Sequence, residues 1–461
     1  MVTTNIVPGE GIDNNFVLGS SLYDTVSRMR KYKEPLKISY SSKAYLDTPI
    51  LVTLPNLAVR LMFHSSGNQE LMLIEVLDFS HSKLCYKGTY LNDIVYTYPS
   101  DEELYTNGQN IARKKQVSPC TLKHIYNKVF GPTFPGILDW KRKTYILSYP
   151  GIAFRFSINS ADLLGRVSKL TDSNDILSAL TNWDQPTDIL CQSLSIYKGE
   201  SYPEFHQRLR LLSRSNLVNY EPKVSEITVK NVKVDLERGI AELERSLDGP
   251  LPAAVLTIGR TTQQDIIRLL GPPDACFNKF DSRLSIHKHL KTIGVSCENP
   301  GSVYKLHNYF RHGIDYLYNL NAAHQSGGVL EKIIIHNGGI AESMDFLQWN
   351  KCNWKISTGT ESPSVVDSSM YFSDFGSDFL EKVDKNKTGP VLLNRNESEI
   401  VSGDDMEFVE LPEIERLSIN SLSSDSCENY KTWGQSKLYG FDRCIFEVVS
   451  TNNCVSIVTV Y

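Results

Sequence analysis

No stretch of this 461-residue chain is long and apolar enough to cross a bilayer as a helix. Its apolar stretches, such as Ile50–Val52 and Val455–Val460, fall far below the roughly 18 residues required. Residues 1–15 carry Glu10 and Asp13 and lack the apolar core of a secretory leader. Neither Val2 nor Tyr461 belongs to a lipidation signal. No sign of charge dominates: 48 Lys+Arg against 53 Asp+Glu leave a formal net charge of -5, which argues against nucleic-acid binding by a broad basic surface. The nine cysteines, at 85, 120, 191, 276, 297, 352, 427, 444 and 454, contain no CxxC pair and no regular spacing. They read as isolated thiols of a cytoplasmic protein, not as a disulfide framework. Asn386-Lys387-Thr388 and Asn396-Glu397-Ser398 match a glycosylation pattern that is idle without a secretory route. Missing too are GxGxxG, the GxxxxGK[ST] phosphate loop, HExxH and GxSxG. The expectation is a protein with no cofactor and no enzymatic activity.

What is present is the composition of a folded chain, 41% apolar and 10% aromatic, with length for about three average domains or two large ones. Leu22, Val26 and Met29 recur at four and three residues within Val17–Arg30 and predict an amphipathic helix. Short apolar runs follow at Ile50–Val52, Ala58–Phe63 and Leu71–Val76. Turn residues at Pro55-Asn56 and 65–68 separate them; connections so short predict antiparallel strands.

The same order returns three times. In the second pass, Ser118 is the expected cap and Pro119 the first helical residue, before Leu122, Ile125, Tyr126 and Val129 and a stop at Phe130-Gly131-Pro132. Strands are expected at Thr144–Ser148 and Ile152–Ile158. In the third, a helix at Gln263–Leu270 stops at Gly271-Pro272-Pro273, with Gly271 expected in the left-handed closing conformation. Asn308–Phe310, Ile314–Leu320 and Val329–His336 are its strands. The fourth pass has a helix at Phe375–Val383 and strands at Val391–Leu393, Tyr439–Val449 and Cys454–Val460. Ile189–Tyr197, Ile227–Leu236 and Ile240–Leu243 read as strands of a different kind of segment between the second and third passes. His206–Asn219 reads as a basic surface helix or loop.

The fold class expected is α+β: repeated modules of an amphipathic helix plus an antiparallel β-meander, arranged as two pseudo-related halves. One helix with a few strands cannot hide both apolar faces alone, so modules must cover or extend one another. Modules are placed at 11–110, 111–220, 221–350 (with a hairpin) and 351–461. Residues 397–428 carry ten acidic residues and one basic residue, Arg416. They are expected to form a largely disordered acidic insertion with a sticky piece at 408–417.

Candidates for chemistry are sparse. Cys276, His287, His289, Cys297, His307 and His312 are the best metal ligands, but their irregular spacing favours solvated or hydrogen-bonded histidines over zinc. Cys120 and His124, one helical turn apart, suit a thiolate and its base, with no orienting group or oxyanion site in view. Asp315, between Ile314 and Tyr316, is expected to face solvent by strand alternation. Three basic clusters remain: Arg28, Arg30, Lys31 and Lys33; Arg113, Lys114 and Lys115; and Lys141, Arg142 and Lys143. They suit anionic lipid headgroups or phosphates, but read first as a helix end, whose dipole favours cations, and two solvated turns.

Phe16-Val17-Leu18-Gly19, the run from Thr262 to Pro273, and Asn308-Tyr309-Phe310 through Gly313-Ile314-Asp315 resemble the phagosome assembly factor 1 family. Pro135-Gly136, Gly151-Ile152-Ala153-Phe154 with Phe156, and the tail from Phe446-Glu447-Val448 to Tyr461 extend the likeness over nearly the whole chain. Gly19, Gly271, Pro272, Gly313 and Asp315 are then structural motif residues. The resemblance implies a non-enzymatic autophagy scaffold or adaptor. It would pair with a β-propeller protein of the type that reads phosphatidylinositol 3-phosphate, associate peripherally with autophagic membranes, and move from the cytoplasm to the phagophore. Two other readings stand beside it: a direct anionic-lipid-binding module, and a small-molecule enzyme or carrier with a pocket between modules.

Overall fold

Four segments of the chain begin alike in the computed structural model. It describes residues 3–41, 43–79, 83–92, 94–97, 114–117, 119–211, 226–279, 304–320, 328–338, 348–359, 363–384, 389–394, 406–410 and 435–461. Ser21 Oγ accepts the Asp24 N–H at 3.1 Å and starts the helix Leu22–Lys31. Thr262 Oγ1 accepts the Asp265 N–H at 3.3 Å, while the Asp265 carboxylate accepts the Thr262 N–H at 3.0 Å, a capping box for Gln263–Leu270. Thr121 caps Leu122–His124, which widens into a π turn at Ile125–Val129. Tyr371 opens the 3-10 turn Phe372–Asp374 ahead of the helix Ser377–Val383.

Each of these four starting residues also bridges a residue at the beginning of a later strand: Ser21 to Glu70, Thr121 to Leu190, Thr262 to Val329 and Tyr371 to Cys454. That tether moves the second cap from the expected Ser118, which lies outside the described residues, to Thr121. Gly271 departs from expectation as well. Its φ of 82° is a glycine conformation, but its ψ of -169° is not left-handed helical. The ring of Pro272 excludes helical geometry from the residue before it.

Two large sheets follow from the strand patterns. The first runs in the order Ile137–Asp139, Thr144–Tyr149, Ile152–Ile158, Ile189–Tyr197, Leu71–Val76, Val59–Phe63, Ile50–Leu54, Leu36–Tyr40 and Met406–Glu410. The second runs Ala275–Lys279, Tyr304–Tyr309, Ile314–Asn319, Val329–His336, Val455–Val460, Cys444–Val449, Gln435–Gly440 and Val391–Asn394. Ile189–Tyr197 is therefore no separate kind of segment; it joins the two halves of the first sheet, as Val329–His336 does in the second.

Two small sheets also correspond in order. Phe16–Val17, Gly11–Ile12, Thr3–Val7, Lys83–Tyr86 and Thr89–Tyr90 form one. Ala254–Thr257, Ile240–Ser246, Thr228–Asp235, Trp354–Thr358 and Ser364–Asp367 form the other. The third and fourth strands of each order pair in parallel, as does Met406–Glu410 with Leu36–Tyr40. Parallel pairing, unexpected from the short connections, arises because these partners come from distant parts of the chain, where loop length sets no limit. The fold is thus α+β, with two pairs of similarly sized, mainly antiparallel sheets and short interspersed helices. That arrangement suggests a duplicated module. Within 397–428, residues 406–410 form a strand, and the rest of the expected acidic insertion lies outside the described residues.

The helices bury their apolar stripes on these sheets. Val26 and Met29 belong to a core with Leu61, Ile74, Phe154 and Phe156. Ile266, Leu270 and Phe379 belong to a second with Tyr316, Ile333 and Phe446. Tyr371, Val449 and Cys454, late in the sequence, pack into the first core. The two halves therefore meet through shared apolar contact.

Candidate functional site

The turn between Tyr304–Tyr309 and Ile314–Asn319 gathers most of the motif residues. A 3-10 turn at Phe310–His312 ends at Gly313 in the left-handed conformation, φ 65° and ψ 33°. A side chain there would place its Cβ 2.1 Å from the Asn350 carbonyl oxygen, so glycine is required twice over. Tyr309 donates its hydroxyl to the Gly271 carbonyl at 3.0 Å, and Arg311 Nη2 donates to the Pro272 carbonyl at 3.3 Å. Arg311 also pairs with Glu226 at 2.9 Å and Asp274 at 3.6 Å. The helix stop and the turn are thereby tied together.

Asp315 is buried, contrary to the alternation argument, and 3% exposed. Its carboxylate lies 2.8 Å from His336 Nε2 and accepts the Trp349 indole N–H at 2.9 Å. The His336 and Trp349 rings stack, 9° apart in plane with centroids 4.4 Å apart. Both faces of this sheet are covered at Ile314–Tyr318, so alternation no longer separates core from solvent. A carboxylate–imidazole pair has the makings of an acid–base couple, yet here it is sealed under Trp349 and braces three chain segments.

Around it lie further buried polar groups. Burial lowers the His307 and His312 imidazoles to about 4. Among the described residues neither ring makes a hydrogen bond; His307 meets Tyr318 edge-on and His312 stacks on Tyr309. For His307 and His312 the expected solvated or hydrogen-bonded setting is therefore corrected to burial among aromatic neighbours. Cys276 stands opposite His307 across two strands and is exposed. His287, His289 and Cys297 lie outside the described residues, among which no group of three or more His, Cys, Asp or Glu could hold a metal ion. Burial also lowers the Lys351 ammonium to about 8, the Asp367 carboxylate acting in the opposite direction.

Cys120 and His124 each have another neighbour, Cys191 and the Tyr90 carbonyl. Cys120 is buried ahead of the Thr121 cap, and His124 Nε2 lies 2.9 Å from the Tyr90 carbonyl oxygen. Burial, and then the neighbouring Cys120 thiol, push the Cys191 thiol well up. A thiol raised in this way, as at Cys191, is protonated and poorly nucleophilic.

The basic clusters have different fates. Arg28 Nη1 donates to the Asn14 and Asn15 carbonyls, an internal role, while Arg30, Lys31 and Lys33 are exposed beside Tyr32. Arg113 lies outside the described residues. Lys114 and Lys115 sit on the strand Lys114–Val117, paired with Ile94–Thr97. Lys141, Arg142 and Lys143 are exposed at the tip of the hairpin joining Ile137–Asp139 to Thr144–Tyr149. Sequence reasoning missed His336, Trp349 and Lys351, which stand far from Asp315 in the chain and carry no local motif.

A third feature is the rim of the sheets. Phe277, Val391 and Leu392 are exposed on outer strands of the second large sheet, and Phe134, Ile137 and Trp140 are exposed at one edge of the first. Among the described residues no helix is long and apolar enough to cross a membrane.

A family model described as Phagosome assembly factor 1 matches residues 13–461. A PHAF1 protein of Caenorhabditis elegans is 25% identical over 86% of this chain and 86% of its own. One of Drosophila melanogaster is 22% identical over 97% of this chain and 90% of its own. One of Arabidopsis thaliana is 23% identical over 77% and 75% respectively. No solved structure gives a significant match.

Proposed function

Because this chain belongs to the phagosome assembly factor 1 family, we propose that it serves autophagy as a non-enzymatic scaffold or adaptor. It pairs with a β-propeller protein that reads phosphatidylinositol 3-phosphate, and the two are recruited together from the cytoplasm to the forming phagophore. The observation that carries this reading is the outer strand Val391–Asn394. Among the described residues it pairs on one side only, with Gln435–Gly440, and Val391 and Leu392 are 48% and 59% exposed. At the corresponding edge of the first large sheet, Leu36–Tyr40 already carries Met406–Glu410 as an added strand. An unpaired edge with apolar side chains suits strand addition by a partner.

The scaffold itself is read as four units, each a helix followed by a meander and each starting at one of the tethered residues Ser21, Thr121, Thr262 and Tyr371. In support, Ala58 and Gly313 occupy the same position after a 3-10 turn, both left-handed, at φ 50° and 65°.

The test is binding of the purified chain to the purified propeller. Val391→Lys with Leu392→Lys should weaken it by about tenfold or more, since charges on an edge strand block pairing. In cells lacking the propeller, the chain should no longer reach the phagophore. Undiminished recruitment would count against the adaptor reading.

A further inference from the structure

The edge of the first large sheet opposite Met406–Glu410 is the short strand Ile137–Asp139. Residues 131–139 are stapled along the neighbouring strand. Tyr149 donates to the Gly131 carbonyl at 2.7 Å, Thr133 Oγ1 to the Ser148 carbonyl at 3.3 Å, and the Gly136 N–H to the Tyr145 hydroxyl at 2.6 Å. Gly136 lies so close to that strand that a Cβ would fall 2.0 Å from the Ile146 carbonyl oxygen. The turn is equally fixed: Asp139 Oδ1 accepts the N–H groups of Lys141 at 3.0 Å and Arg142 at 3.2 Å. The Lys143 carbonyl accepts the Ile158 N–H at 3.0 Å.

What this rigid frame presents is unusual for a water-facing surface. Phe134 is 89%, Ile137 51% and Trp140 48% exposed, and three consecutive exposed cations follow. Large apolar groups held outward by dedicated hydrogen bonds mark an interaction site. A strand-adding protein is a poor occupant, because the edge strand is only three residues long and follows Pro132 and Pro135. An interface of lipid headgroups suits every part: tryptophan prefers that depth, and lysine and arginine are drawn to anionic headgroups.

We propose that the arm Phe134–Lys143 is a membrane-docking element, with Phe134, Ile137 and Trp140 entering the interface of an anionic bilayer and Lys141, Arg142 and Lys143 contacting its phosphates. This rests on the adaptor reading for the membrane concerned, but assigns part of the lipid contact to this chain and not to its partner.

The test uses the full chain alone with vesicles of phosphatidylcholine, with and without phosphatidylserine, followed by sedimentation. Binding is expected only to the anionic vesicles. Lys141→Glu, Arg142→Glu and Lys143→Glu together should lower the partition coefficient by about a hundredfold, and Phe134→Ala with Trp140→Ala should weaken it without removing the salt dependence. Brominated acyl chains should quench tryptophan fluorescence in the parent chain and much less in Trp140→Phe, a variant that leaves the fold and the charges in place. No sedimentation with anionic vesicles overturns the proposal, as does equal binding by the charge-reversed chain or equal quenching in Trp140→Phe. If that happens while propeller-dependent recruitment persists in cells, the arm is excluded and the adaptor reading stands.

Discussion

The Tyr371 hydroxyl accepts the Leu46 N–H at 3.0 Å and lies 3.2 Å from Asp47 Oδ2 as donor. More than 300 residues separate the partners in sequence, and the contact sits where the two cores meet. Nearby, Asn353 Nδ2 donates to Asn68 Oδ1 at 2.6 Å across the same junction.

Tyr371→Phe keeps the ring and leaves the buried Leu46 N–H without that acceptor. The expected cost is about 1–3 kcal/mol. Urea unfolding should show a lower midpoint, and hydrogen exchange should rise first around residues 44–48. An unchanged midpoint would mean that the hydroxyl does not hold the junction.

Asp315→Ala removes the acceptor of the Trp349 indole N–H and the carboxylate beside His336 Nε2, and should destabilise by about 1–3 kcal/mol. Asp315→Asn retains an acceptor and should lose less. Gly313→Ala should be damaging for a separate reason, the Asn350 carbonyl in the way of its Cβ at positive φ. Thermal unfolding of the three variants should rank both alanines below the asparagine.

Lys351 predicts an alkaline effect. Its folded value of about 8 lies below the ordinary 10.5, so between those pH values the folded chain binds fewer protons than the unfolded one. Stability contributed by this group therefore rises with pH across that window, and its burial penalty is fully present below pH 8. Lys351→Met should raise the unfolding temperature at pH 7, with the advantage fading toward pH 10.5. A variant less stable than the parent at pH 7 would show that the ammonium is a net stabiliser.

His307 and His312 act at the other end of the scale. Held neutral by burial with values near 4 against an ordinary 6.5, they stabilise the fold above pH 6.5, and this is lost as pH falls toward 4. Replacing both by Phe, which preserves the contacts with Tyr318 and Tyr309, should flatten the pH dependence of the unfolding temperature over that interval. An unaltered slope would assign acid lability to the carboxylates.

Much of the architecture was legible because it is local. The apolar spacing of Leu22, Val26 and Met29 and the stop at Gly271-Pro272-Pro273 act within a few residues, and the helices stand at Leu22–Lys31 and Gln263–Leu270. The hairpins around Gly151 and Gly313 were legible for the same reason. The parallel pairs were not, since Thr3–Val7 meets Lys83–Tyr86, and Met406–Glu410 meets Leu36–Tyr40, across separations that leave no pattern in any window. Asp315 misled because both sides of its strand are covered.

By itself, then, the amino-acid order set the α+β class, the first and third helices, and the cationic run at 141–143, all consequences of short-range sterics and apolar periodicity. Only the tertiary structure decided that Asp315 would be enclosed by His336 and Trp349, that Tyr371 would join the halves, and that Phe134, Ile137 and Trp140 would be held outward beside those cations. These depend on which distant surfaces are brought together, and burial is a property of the assembled layers, not of the residues one at a time.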